Sequence, residues 1–90
     1  MSRKRPPRAV STPKVVLYHA AGCHLCERAR RTLVTEGVEF DEVDITGVPD
    51  LEARYREWLP VVELDGVRVF VYHVPPEGLR RKLQAQSRGD

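Results

Sequence analysis

Cys23 and Cys26 are the only thiols in this chain, and only His24 and Leu25 separate them. Two cysteines are too few to staple a secreted disulfide scaffold. Their spacing is that of a redox pair or of half a metal site. In a redox pair the thiolate, not the thiol, attacks a disulfide, so one sulfur must be held in a place that favours negative charge. A helix N-terminus is such a place, because its unpaired N–H groups and its dipole both stabilise an anion. Residues three apart on a helix share a face, so the second sulfur would lie one turn on, deeper in the fold. On this reading Cys23 attacks and Cys26 resolves. Two other readings stand beside it: two unrelated core cysteines, or two ligands of a metal or cluster site. Zinc takes four ligands, a second C-x-x-C is absent, and the imidazoles are His19, His24 and His73.

The elements that must carry the pair follow from changes of period. Val15-Val16-Leu17-Tyr18 is an apolar, β-branched run suited to a strand buried on both faces, and Ala20-Ala21-Gly22 breaks it. From Cys23 to Glu36, Leu25, Ala29 and Leu33 recur at helical spacing, with Cys26 and Val34 beside them and Gly37 as a stop. Val38–Ile45 mixes β-branched and acidic residues, as a half-exposed strand does. Pro49 suits a first helical position, Asp50 and Glu52 suit the positive end, and Leu51, Tyr55 and Trp58 form the stripe before Pro60 stops the helix. Pro60–Leu64 reads as a strand and Asp65-Gly66 as a hairpin turn. Val67–Tyr72 is the partner strand, with Val67, Val69 and Val71 expected on one face. Pro75-Pro76-Glu77 opens a short helix whose inner face is Leu79 and Leu83. The order βαβαββα specifies an α/β fold: a mixed four-stranded sheet, its first crossover parallel, with helices on both sides.

The 90 residues allow one domain with a thin core, so a surface site is expected rather than an enclosing cavity. No apolar run nears the roughly 18 residues of a membrane span. The basic N-terminus lacks an apolar h-region, so a cytoplasmic address is expected. Residues 1–13 carry Arg3, Lys4, Arg5 and Arg8 with three prolines and are expected to be disordered. The domain is expected at 14–86, with residues 87–90 frayed. The tail holds a charge of +4 and the body −2, so no nucleic-acid face is expected, and no membrane partner either.

With the strand, Cys23-His24-Leu25-Cys26, the helix, and then Trp58-Leu59-Pro60-Val61 before a hairpin, residues 14–85 resemble glutaredoxins and thioredoxins. The likeness is nearest to short bacterial glutaredoxin-like proteins with a G-C-x-L-C site. It implies a thioredoxin-like fold with Cys23 as nucleophile, Cys26 as resolving thiol and Pro60 as a cis-proline facing them. Leu59 would then offer its backbone to an extended substrate segment. The chain departs from the pattern at several positions. Glutaredoxins usually carry C-P-Y-C, a lysine where Ala20 stands, and Gly-Gly-x-x-Asp where Val71-Tyr72-His73-Val74-Pro75 stands. The buried aspartate of thioredoxins is replaced by Leu17.

The expected activity is therefore dithiol–disulfide oxidoreduction without a tightly bound cofactor. The substrate would be a disulfide-containing protein or a low-molecular-weight disulfide. Electrons would come from a reducing thiol or a thioredoxin-reductase-type protein, with glutathione a poor donor because its usual contacts are missing. Alternatives are a metal or iron–sulfur cluster held through Cys23, and an interaction domain without turnover. His24 is a candidate modulator whose positive charge would favour the thiolate, opposed by Glu27. Trp58 is a candidate substrate-docking residue. His19 and His73 read as solvated strand ends, and Tyr55, Tyr72, Phe40 and Phe70 as core or sheet-face residues.

Overall fold

The computed structural model describes residues 13–88, with side chains to residue 85. Strands β1 (Val15–His19), β2 (Asp41–Asp44), β3 (Val61–Leu64) and β4 (Val67–Val71) form one sheet in the order β2-β1-β3-β4. Helix α1 (His24–Thr35) joins β1 to β2, α2 (Pro49–Tyr55) continues into a 3-10 turn at Arg56–Trp58, and α3 (Pro76–Arg88) follows β4. β1 pairs parallel with β2 and antiparallel with β3, which pairs antiparallel with β4. The mixed sheet and βαβαββα order are those the sequence implies. Of the expected tail (1–13) and frayed end (87–90), residues 1–12 and 89–90 lie outside the described residues. Pro13, assigned to the tail by composition, is buried, and α3 runs as a 13-residue helix past the expected domain end at 86.

Local chemistry accounts for each boundary. Asp65 (φ 51°) and Gly66 (φ 83°) both take positive φ, the geometry of a two-residue hairpin whose twist suits its strands. That turn also anchors β1: the Lys14 N–H donates to Asp65 Oδ1 at 2.9 Å, and the Asp65 N–H donates to the Lys14 carbonyl at 2.8 Å. Glu52 reaches back from α2 to accept the Gly47 N–H at 2.8 Å, relieving an otherwise unpaired donor before the helix.

Alternation along the strands divides the core between the two faces of the sheet. Val15, Leu17, Val62 and Leu64 meet Ala29 and Leu33 of α1 and Leu79 of α3 on one face. Ile45, Tyr55 and Val61 pack with Tyr18, Leu51 and Leu59 on the other. There Tyr18 stacks on Tyr55 at 4.0 Å, and the Tyr55 hydroxyl donates to Glu63 at 2.9 Å. Arg80 grips Glu36 with two hydrogen bonds (2.7 and 3.1 Å), which ties α3 to the end of α1 and holds the Glu36 carboxyl below its ordinary range.

Two expectations about faces and one about a strand's length are corrected. Leu25 (48% exposed) and Val34 (56%) are not in the buried stripe of α1, which consists of Cys26, Ala29 and Leu33. The helix meets the sheet along one narrow line of side chains. Val67, Val69 and Val71 do not share a face. The pairing slips between Val62 and Glu63, so Phe70 faces Val62, Arg68 faces Glu63, and Val69 has no opposite number in the register. Such a bulge shifts the alternation by one residue. It sends Val69 and Phe70 to the α1 side and Val71 to the α2 side. β2 is shorter than Val38–Ile45, because the Val38 N–H is still bonded to Leu33 in the α1 cap and the ladder begins at Asp41.

Candidate redox site

The site begins where β1 turns into α1. Gly22 takes φ 75°, a conformation open to glycine at little cost. The preceding Ala21 N–H donates to Thr46 Oγ1 at 3.1 Å, and the Thr46 N–H donates to Asp44 Oδ1 at 2.9 Å. The β2–α2 turn thus fastens the loop that presents Cys23. Cys23 is the N-cap of α1, with extended backbone angles (φ −95°, ψ 107°). Its Sγ accepts the Cys26 N–H at 3.2 Å, in the manner of an N-cap oxygen. The Glu27 N–H closes the first turn on the Cys23 carbonyl at 3.1 Å. The nucleophile candidate is therefore a sulfur aimed at helix-terminal donors.

The two sulfurs differ in environment. Cys23 is partly exposed, and Cys26 is 4% exposed on the face of α1 that meets the sheet. Burial pushes the Cys26 thiol up to about 12. The hydrogen bond to Cys23 and the charges of Cys23 and Glu27 act in the same sense, and the Ala20 backbone acts against them. This asymmetry has a consequence for stability. Between pH 9 and about 12 the unfolded chain loses the Cys26 proton and the native chain keeps it, so the unfolded state binds fewer protons and stability falls as pH rises. Denaturant unfolding of the reduced protein should show this alkaline loss, and Cys26→Ala should remove the part of it that begins near pH 9. Tyr55, also raised by burial, adds a loss of its own that begins near pH 10 and remains in that variant. An unchanged slope in Cys26→Ala would show that Cys26 carries no such shift.

Beside the two sulfurs lies a cavity of about 120 Å³ whose walls include His19, Glu27, Arg30 and Glu42. His19, expected as a solvated strand end, is instead partly buried, with Nε2 3.6 Å from Glu42 Oε1. Arg30 Nε lies 3.1 Å from both oxygens of Glu42. Sequence reasoning passed over Glu42 and Arg30. The available signal was a histidine at the carboxyl end of a strand, where open α/β sheets place their sites. His24, the candidate modulator, is exposed between the cysteines.

The Leu59–Pro60 peptide is cis, and Pro60 is fully buried. Leu59 and Ala20, three residues before Cys23, pack against the same core cluster, which brings that segment toward the cysteine loop. Trp58 is 40% exposed in the 3-10 turn, not part of a buried α2 stripe, because the turn tightens after Tyr55 and swings the indole outward. It leans on Tyr72 at 6.0 Å. Tyr72, expected in the core or on the sheet face, is 47% exposed with φ 69°, since the chain leaves β4 there. Among the described residues no three His, Cys, Asp or Glu side chains gather to hold a metal ion, and no helix is long and apolar enough to cross a membrane.

A four-stranded mixed sheet with three helices, and a cysteine pair at the first helix N-terminus, define a glutaredoxin-like protein of the thioredoxin fold. Residues 14–84 match the glutaredoxin-like domain family DUF836, and the chain belongs to that family. It is 35% identical to the uncharacterized protein Rv0508 of Mycobacterium tuberculosis over 89 residues, covering 89% of this chain and 92% of that one. A glutaredoxin of Pseudomonas aeruginosa is 44% identical over 42 residues, 47% of this chain, and the match spans 50% of that relative's length. The protein XcR50 from X. campestris superposes with a TM-score of 0.71 at 29% identity, over 79% of this chain and 96% of that one. The glutaredoxin-like NrdH-redoxin of Escherichia coli shares the fold, with a TM-score of 0.60 at 21% identity over 76% of this chain and 92% of that one.

Proposed function

We propose that this protein is a dithiol–disulfide oxidoreductase in which Cys23 attacks and Cys26 resolves. The observation that carries this reading is the unequal setting of the two sulfurs. One is partly exposed and accepts a helix N–H, and the other is buried with its thiol pushed up to about 12. In the first step the Cys23 thiolate attacks a substrate disulfide, forms a mixed disulfide and releases one substrate sulfur. In the second, Cys26 gives up its proton and attacks Cys23. The Cys23–Cys26 disulfide forms, the bond to substrate breaks, and the electron pair leaves on the second substrate sulfur.

The substrate class is a disulfide-containing protein or a low-molecular-weight disulfide. Trp58, Leu59 and Pro60 are assigned to border it. Leu59 and Ala20 pack against the same cluster, and the exposed Trp58–Tyr72 pair offers an apolar surface. No tightly bound cofactor enters the cycle. Electrons return from a thiol or a thioredoxin-reductase-type protein, which places the reaction in a reducing, cytoplasmic compartment. Glutathione is a weak donor in this reading, because Ala20 stands where glutaredoxins carry a lysine and Val71–Pro75 stands where they carry Gly-Gly-x-x-Asp.

Alkylation of the reduced protein near pH 7, followed by peptide mass analysis, tests the roles. Cys23 should label much faster than Cys26, and equal rates would remove the assignment. Disulfide reduction coupled to glutathione, run beside the same assay coupled to thioredoxin reductase, tests the donor. Rapid, saturable turnover with glutathione would overturn that part.

A further inference from the structure

The second step of the proposed reaction releases a proton from a buried thiol, and the inference drawn here rests on that reading. Cys26 is 4% exposed, and near neutral pH its sulfur carries a proton. That proton must leave as Cys26 attacks, and bulk water has little access to it. The cavity of about 120 Å³ beside Cys23 and Cys26 has room for a few water molecules, each occupying roughly 30 Å³ in the liquid. Its charged or titratable walls besides the cysteines are His19 from β1, Glu27 and Arg30 from α1, and Glu42 from β2.

These four are not equivalent as bases. A guanidinium does not give up its proton in proteins, so Arg30 cannot accept one. Glu42 already takes Arg30 Nε at 3.1 Å on both oxygens and faces His19, which commits it as an acceptor. Glu27 is exposed on α1, and carboxylates as a class are weaker bases than imidazoles. An imidazole is the side chain that takes up and returns a proton near neutral pH. His19 turns Nε2 toward Glu42 at 3.6 Å, and among the described residues no hydrogen bond engages its other ring nitrogen. Asp44 lies opposite His19 in the β1–β2 register and is held low by its bonds to Thr46. Two carboxylates, Glu42 and Asp44, are thus neighbours of His19, and the guanidinium of Arg30 is bound to Glu42.

We propose that His19, oriented by Glu42, accepts the Cys26 proton through water in this cavity as Cys26 attacks the mixed disulfide at Cys23. The ledger closes without another reactant. The Cys26–Cys23 bond forms, the Cys23–substrate bond breaks, the electron pair leaves as a substrate thiolate, and the imidazolium returns its proton to that thiolate or to solvent. The second step, and not the first, then slows on the acid side as the ring becomes protonated before it can act.

A chromogenic disulfide, 5,5′-dithiobis(2-nitrobenzoate), reads the two steps separately in stopped flow, because Cys23 attack and Cys26 resolution each release one coloured thiolate. The wild-type protein should release two equivalents in two phases. In His19→Gln the second phase should slow on the order of a hundredfold near neutral pH, the lower end of what general base catalysis contributes. Its pH profile should lose the acid-side bend and rise with hydroxide. Added imidazole should restore the second phase in His19→Ala. Glu42→Gln should slow the same phase by a smaller factor, and it is the deciding variant if His19 substitutions fail to fold. An unchanged second phase would overturn the role of His19 and leave the dithiol mechanism standing. So would equal slowing of both phases without imidazole rescue. A wild-type protein that releases only one equivalent would overturn the dithiol mechanism itself, and this proposal with it.

Discussion

Replacing Cys23 by Ser is expected to reduce disulfide reduction to the protein-free background. The reason is chemical rather than structural. A serine hydroxyl can still cap α1, since serine is a favoured N-cap and the Cys26 N–H needs only an acceptor. It is not ionised near neutral pH and cannot form a disulfide, so melting temperature should stay close to wild type while turnover vanishes. Cys26→Ser should behave differently. Its Cys23 still attacks, so one equivalent of substrate stays joined to each chain, visible by mass and reversed by added thiol. Full turnover would then depend on an external thiol. Wild-type rates in Cys26→Ser would point to a one-cysteine mechanism, and retained activity in Cys23→Ser would reverse the roles.

The second large effect is on stability. Leu33 is fully buried on α1 and meets residues from β1, β3 and α3 in one cluster. Leu33→Ala should cost about 3 kcal/mol, the middle of the range for large-to-small changes in a core. In a domain of this size that corresponds to roughly 12–24 °C in melting temperature, a large share of a total stability on the order of 5–15 kcal/mol. Val34→Ala, one residue along and 56% exposed, should cost less than about 0.5 kcal/mol. Thermal melts of both variants check the contrast. Equal losses would show that α1 lies on the sheet by a different face. Because Cys26 belongs to the same buried line as Leu33, the Leu33→Ala protein should also alkylate faster at Cys26.

The cysteine pair, its place at a strand-to-helix turn and the order of elements were legible in the residues themselves. Each depends on local chemistry: β-branched runs extend, Gly22 and Asp65-Gly66 reverse the chain, and Pro49, Pro60 and Pro76 start or stop helices. The buried line Cys26, Ala29 and Leu33 was within the helical stripe, but its width was not. Leu25, Val34 and Trp58 are apolar residues at helical spacing that the structure leaves exposed. Hydropathy along one helix cannot tell how far the sheet beneath it extends.

What only the tertiary structure decided are the relations between elements distant in sequence. The slip between Val62 and Glu63 reassigns the faces of β4, and no residue type marks it, because register depends on both strands and the turn together. The parallel pairing of β1 with β2 sets Glu42 opposite Leu17, where its side chain meets His19 and Arg30. In sequence, the three residues read as a strand end, a helix face and a strand charge. The reactivity of Cys23 is prepared by its neighbours along the chain, since an N-cap is a local structure. The thiol of Cys26 is set by burial, and burial exists only once α1 has closed on the sheet.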